Sequence, residues 1–146
     1  MGHSAVATVI GGLPMSSTES PMPAGKLLLV ALALEIQALM GWSLPAAELP
    51  GLTLVEEVDV VIASGTGGHS AGRVRDAVYV PEWNVIFVEQ KAIADLQEFQ
   101  AILVHELVHW WQAKRIAPST KRRTEWEVEA RQVENRWREK NRVKRR

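Results

Sequence analysis

The ten-residue stretch Leu103-Val-His-Glu-Leu-Val-His-Trp-Trp-Gln112 constrains this chain more than any other. His105 and His109 stand four residues apart, so on a helix their imidazoles stack on one face, one turn from each other. Ile102, Leu103, Val104, Leu107, Val108, Trp110 and Trp111 surround them, and a helix so flanked belongs inside a core. Two neutral imidazoles at that separation can close on a single divalent ion. Glu106 follows the first histidine and can lean over the same ion, where a carboxylate can take a proton from bound water. The plainer alternative is a core helix with two histidines on its polar edge.

The spacing is the H-E-x-x-H pattern of zinc hydrolases. The chain has no cysteine, which excludes disulfides and thiolate metal sites and leaves Zn²⁺ to His and carboxylate ligands. A catalytic zinc takes three protein ligands and keeps one position open. His3 lies in an N-terminal leader and His69 on a loop, so the third ligand is sought on the C-terminal helix, among Glu125, Glu127, Glu129 and Glu134. Glu127 and Glu129 flank its apolar stripe on opposite sides, and either can face the histidines. Ala130, three residues after Glu127, is small enough to let two helices approach. Glu127 also has a local rival role, because Thr124-x-x-Glu127 reads as a capping box.

The other segments supply a scaffold. With 146 residues the chain makes one domain with a real core, expected over residues 24–140 between a leader, 1–23, and a basic tail, 141–146. The leader is rich in Gly, Ser, Thr and Pro. A helix is expected from about residue 24 to 40, closed by Gly41; its broad apolar width suggests deep packing, yet it is too short to span a bilayer. Ser43–Gly51 reads as a connector. Thr53–Ala63 reads as one long or bent strand. The glycine-rich Gly65–Gly72 lacks the Gly-Lys-Ser/Thr ending of a phosphate-binding loop. Ala77–Val80 and Asn84–Glu89 read as strands joined by a turn at Pro81–Asn84. Asp95 with Glu98 forms a capping box, which starts the histidine helix near Leu96. Leu96, Phe99, Leu103, Leu107 and Trp110 should then face the sheet. Ile102, His105, Glu106 and His109 face the other way and need a second cover. Trp126, Ala130, Val133 and Trp137 recur at helical spacing and give the last helix an apolar face for that purpose.

The formal net charge of zero hides an asymmetry. Of 17 basic and 17 acidic residues, 13 basic and 5 acidic lie from Lys114 onward, leaving 4 and 12 in the rest. The bland reading is a solvated helix face paired with an acidic body; the other is an arm for nucleic acid. A cysteine-free chain suits the reducing cytoplasm.

From Tyr79 to Gln112 the chain resembles the short gluzincin (thermolysin-like) metallopeptidases of bacteria and phages. The matching residues are Tyr79-Val-Pro81, Ile86-Phe-Val88 and Leu103-Val-His-Glu-Leu-Val-His109, in that order. The resemblance implies an α+β zincin-like fold: a small mixed or antiparallel sheet on the H-E-x-x-H helix, with a C-terminal covering helix. It places the third ligand in an E-x-x-A context, which falls on Glu127-Val-Glu-Ala130. The Glu-Ala pattern of the large members selects Glu129 instead, and the first alignment is preferred. An Asp that often follows the alanine in that group, where it supports a histidine, is replaced here by Arg131. The implied site is His105, His109 and Glu127 around Zn²⁺, with Glu106 as the general base for peptide hydrolysis. A peptide or protein substrate would add as a strand along Asn84–Glu89. Tyr79 and His69 are candidates for stabilising an oxyanion. The competing expectations are a catalytically silent zincin-like binding protein and a nucleic-acid-associated protein acting through the basic arm.

Overall fold

Proline at residue 23 and glycine at residue 41 bracket the first helix, the two ends where those residues serve best. In a computed structural model of the protein, which describes residues 23–58, 76–115 and 123–144, this helix is α1, Pro23–Met40. Gly41 closes it with a φ of 73°, and its N–H reaches the Gln37 carbonyl at 2.8 Å. Leu29, Leu32, Ala33 and Ile36 form its buried stripe, while Leu27 and Leu34 are 70% and 56% exposed. The helix is therefore buried along one face only, less deeply than its apolar width suggests.

The chain then passes through a short 3₁₀ turn at Ala46–Glu48 into β1, Gly51–Val55. The long strand expected over Thr53–Ala63 is corrected by these bounds. Pairing with the partner strand runs out at Val55 opposite Glu89. There the Glu89 side chain takes the Val58 N–H at 2.9 Å, which turns the backbone out of the ladder. Residues 59–63 of that expectation, and the glycine-rich loop with His69, lie outside the described residues.

Two further strands, β2 (Ala77–Val80) and β3 (Val85–Glu89), form the expected antiparallel hairpin. Asn84 ends its turn at a φ of 53°, a left-handed conformation that Asn tolerates better than most residues. Its side-chain oxygen accepts the Tyr79 hydroxyl at 2.8 Å. β1 pairs with β3 in parallel, so the order is β1-β3-β2 and the sheet is mixed. This corrects the expected peptide-binding edge: the segment Asn84–Glu89 carries the central strand, with both of its sides already paired. Among the described residues the sheet edges are β1 and β2.

Side chains alternate across the strands with the period of two that a pleated backbone imposes. Leu52, Ala77, Tyr79, Ile86 and Val88 join the helices in the main core. Val55, Val78, Val80 and Phe87 gather on the opposite face with Val58.

A 3₁₀ turn, Gln90–Ala94, leads to α2, Leu96–Arg115. Asp95 caps α2, its carboxylate accepting the Glu98 N–H at 3.1 Å. Phe99, Leu103, Leu107 and Trp110 are buried as expected, but Leu96, the first residue of the helix, is 61% exposed. The third helix, α3 (Arg123–Lys144), lies antiparallel along α2. Ala130, Val133 and Trp137 are its buried stripe. The Trp137 indole N–H reaches Glu35 of α1 at 2.7 Å, so three helices share one seam. Helical backbone continues to Lys144, beyond the boundary expected at residue 140. The Asn141 amide bonded to the Trp137 carbonyl and the Arg142–Glu139 pair hold this last turn. The architecture is thus α+β, with three helices and a small mixed sheet. No helix among the described residues is long and apolar enough to cross a membrane.

Candidate metal centre

Helical geometry alone brings His105 and His109 together on α2, their ring centroids 5.0 Å apart. Glu127 arrives from α3. One of its carboxylate oxygens lies 2.9 Å from His105 Nε2 and the other 3.1 Å from His109 Nε2. One atom from each of these three residues falls within 4.8 Å of the other two, so the group could hold a metal ion. Ala130, fully buried at the helix contact, lets α3 come close enough for a glutamate to span both imidazoles.

The outward nitrogens are held as well. His105 Nδ1 meets Glu134 Oε1 at 3.0 Å, and His109 Nδ1 meets Gln112 Oε1 at 2.8 Å. The Gln112 amide nitrogen donates to the Trp126 carbonyl and to Glu129, both at 2.9 Å. That fixes which way the amide points, so its oxygen must accept from His109 Nδ1–H. Glu134 can only accept while ionised, so His105 also carries a proton on Nδ1. In a neutral ring each Nε2 is then left as the lone-pair atom facing Glu127, the tautomer that metal-ligating histidines take when a neighbour accepts from the other nitrogen.

The charges follow this arrangement. Burial alone would push the pKa of His105 down, but hydrogen bonds to Glu127 and Glu134, with Glu106 close by, raise it to about 9. Burial likewise works to raise that of Glu127, and the two imidazoles outweigh it, bringing the carboxyl down to about 2. Glu106 differs. It is fully buried, and among the described residues neither carboxylate oxygen has a hydrogen-bond partner. Burial raises its pKa, while the charges of His109 and His105 and the backbone N–H of Tyr79 oppose that. The Tyr79 N–H acts on Glu106 without reaching hydrogen-bond geometry; it nevertheless sets edge strand β2 beside this carboxylate.

Of the residues expected at the site, the fold brings together His105, His109, Glu106 and Glu127. Glu129 is directed elsewhere, toward Gln112 and, at 3.5 Å, toward Arg115. Arg115 in turn lies 3.6 Å over the Trp111 ring, which stacks on Trp42 at 3.8 Å. Thr124 lies inside the first turn of α3 rather than ahead of it, and the Glu127 carboxylate serves the imidazoles instead of a cap. The Tyr79 hydroxyl is committed to Asn84, and burial, with Glu82 adding to it, raises its pKa to about 12; it serves the hairpin rather than an oxyanion. Sequence reasoning gives Gln112 and Arg138 no role and offers Glu134 only as a candidate third ligand, whereas Glu134 instead supports His105 at Nδ1. The signal for two of them was present: Gln112 is three residues past His109, and Glu134 is two helical turns past Glu127.

Among the described residues, several basic side chains of the arm are paired with acids. Arg131 pairs with Glu127, Arg138 with Glu134 and Glu98, and Arg142 with Glu139.

Comparisons with protein-family models, with curated proteins and with solved structures found no match.

Proposed function

We propose that this chain is a zinc-dependent metallopeptidase with a zincin-like, gluzincin-type site. One observation carries the reading: a fully buried Glu106, with no hydrogen-bond partner among the described residues, stands beside three groups whose ligand atoms lie within 4.8 Å of one another. Leaving a buried carboxylate unpaired costs several kcal/mol of desolvation, a cost of roughly the size that folds tolerate where chemistry uses the group.

The donor set suits a borderline-soft divalent ion. His105 and His109 would hold it through Nε2 and Glu127 through its carboxylate, with Glu134 and Gln112 steadying the rings from behind. A zinc ion so held supplies Lewis acidity and brings the pKa of water toward about 7. Glu106 then accepts the proton of the attacking water and passes it to the leaving amine. A pKa raised by burial makes Glu106 a stronger base than an exposed carboxylate. An extended peptide would align along edge strand β2, whose Tyr79 N–H already lies toward Glu106. The cysteine-free composition suits a cytoplasmic setting for this activity.

The test is metal analysis together with turnover. Purified protein should carry close to one zinc per chain, Glu127→Ala should lose it, and Glu129→Ala should keep it. On a peptide library, Glu106→Gln should retain the metal and lose cleavage. Equal turnover by wild type and Glu106→Gln would remove Glu106 from the chemistry.

A further inference from the structure

The contact between α2 and α3 is a ladder of polar pairs as well as an apolar seam. Its best-buried part starts at His105. Glu134, 2% exposed at its side chain, divides its two oxygens between partners. Oε1 meets His105 Nδ1 at 3.0 Å. Oε2 accepts from Arg138 Nε at 2.9 Å and pairs with the same guanidinium at 2.7 Å. The Arg138 Nη2 group also reaches Glu98 Oε2 at 3.0 Å. Glu98 belongs to the first turn of α2, seven residues before His105 and so on the same helical face. A continuous ionic chain, Glu98–Arg138–Glu134–His105, therefore leaves α2 at its capped end, crosses to α3, and returns to α2 at a proposed metal ligand.

This arrangement has a mechanical meaning. A carboxylate held at one oxygen by a single imidazole can still turn about its own side-chain bonds. A guanidinium gripping the other oxygen through two nitrogens, in its rigid planar fork, removes that freedom. Anchoring the guanidinium on Glu98 then fixes it against α2, the helix that carries both histidines. His109 has a different support, the neutral amide of Gln112.

We propose that Arg138 is the positioning residue of the metal centre: by clamping Glu134 against Glu98 it sets the orientation of the His105 ring. The proposal rests on the metal reading of His105, His109 and Glu127, and it concerns ligand geometry rather than turnover.

The experiment measures zinc affinity by chelator competition and records the visible spectrum of the Co²⁺-loaded protein. It compares wild type with Arg138→Met, Arg138→Lys and Glu98→Gln. Arg138→Met keeps much of the side-chain bulk and removes the clamp, so zinc affinity should fall about 10- to 100-fold and the cobalt bands should shift. Arg138→Lys can reach one carboxylate but cannot reproduce the fork, and should recover part of the affinity. Glu98→Gln leaves Glu134 its guanidinium and should give a smaller loss in the same direction. Far-UV circular dichroism of the metal-free variants confirms that the helices persist; if Arg138→Met is unfolded, the comparison of Arg138→Lys and Glu98→Gln decides. Wild-type affinity and an unchanged cobalt spectrum in the folded variants would overturn the proposal while leaving the metal centre intact. A wild-type protein that takes up neither zinc nor cobalt would overturn the metal reading, and the positioning role with it.

Discussion

Glu134 of α3 accepts the Nδ1–H of His105 across the helix contact at 3.0 Å, with both side chains almost fully buried. The position after the E-x-x-A alanine, where the resemblance looks for a supporting acid, holds Arg131 instead. Support for the histidine comes from one turn further along α3. Glu134→Gln keeps an acceptor of the same shape, whereas Glu134→Ala leaves a buried N–H unpaired. Zinc affinity in competition titrations should fall modestly for the first and about 10- to 100-fold for the second. Equal losses in the two variants would mean that the negative charge, absent from both, is what matters rather than the neutral acceptor.

A second prediction concerns pH. In the metal-free protein the pKa of His105 is raised to about 9 from an ordinary 6.5. A raised pKa contributes stability that is fully present below 6.5 and is lost as pH rises through 9. Glu127, lowered to about 2, contributes stability that is present above the ordinary 4.5 and is lost as pH falls through 2. The two describe one ion pair and are counted once. Urea unfolding of the metal-free chain should therefore show a maximum between about pH 4.5 and 6.5 and a loss of about 2 kcal/mol by pH 10. Zinc competes with the His105 proton, so its apparent affinity should rise by about tenfold per pH unit toward pH 9 and then flatten. A pH-independent affinity between 7 and 9 would contradict this.

Glu106 opposes function to stability. Its carboxylate is buried without a hydrogen-bond partner among the described residues, and burial raises its pKa. Replacing it by neutral Gln removes a desolvated charge at nearly constant shape. Thermal unfolding of the metal-free Glu106→Gln protein should move upward by a few degrees, on the order of 1 kcal/mol. Peptide turnover should fall about 10²- to 10⁴-fold. A lower melting temperature would show that the charged form is compensated in the fold.

The hairpin offers a test of architecture away from the metal. Asn84 combines a φ of 53° with acceptance of the Tyr79 hydroxyl. Asn84→Ala loses both benefits and should cost about 1–2 kcal/mol in urea unfolding. Asn84→Gly relieves the backbone and loses only the hydrogen bond, so it should lie between the two. If Ala and Gly are equally destabilised, the hydrogen bond outweighs the backbone.

What the sequence discloses is what is local. The Asp95 cap, the Gly41 stop and the Ala77–Glu89 hairpin each depend on residues a few positions apart, and all are legible. The imidazole pair is legible for the same reason, because i and i+4 on a helix are neighbours whatever the tertiary fold. The parallel pairing of β1 with β3 is not local: it joins Leu52 to Ile86 across a long crossover, and hydrophobic pattern does not encode strand order. Hence Val85–Glu89 reads as an edge although it is central. Glu127 and Glu129 are equivalent on a helical wheel. Their roles separate only when the rotation of α3 against α2 is known, which turns Glu129 toward Gln112 and Arg115. Arg138 reads as one basic residue among many until Glu98, forty positions earlier, is seen beside it.

The stacked indoles of Trp42 and Trp111, 3.8 Å apart and 14° from parallel, have an optical consequence. Chromophores that close couple excitonically and quench each other's fluorescence. Trp111 lies two residues beyond His109 on the same helix, and Trp42 belongs to the segment that follows α1. The pair therefore forms a native label-free gauge across that junction. Any event that draws α2 away from α1 would appear as a change in the circular dichroism couplet and a gain in emission, with no probe attached.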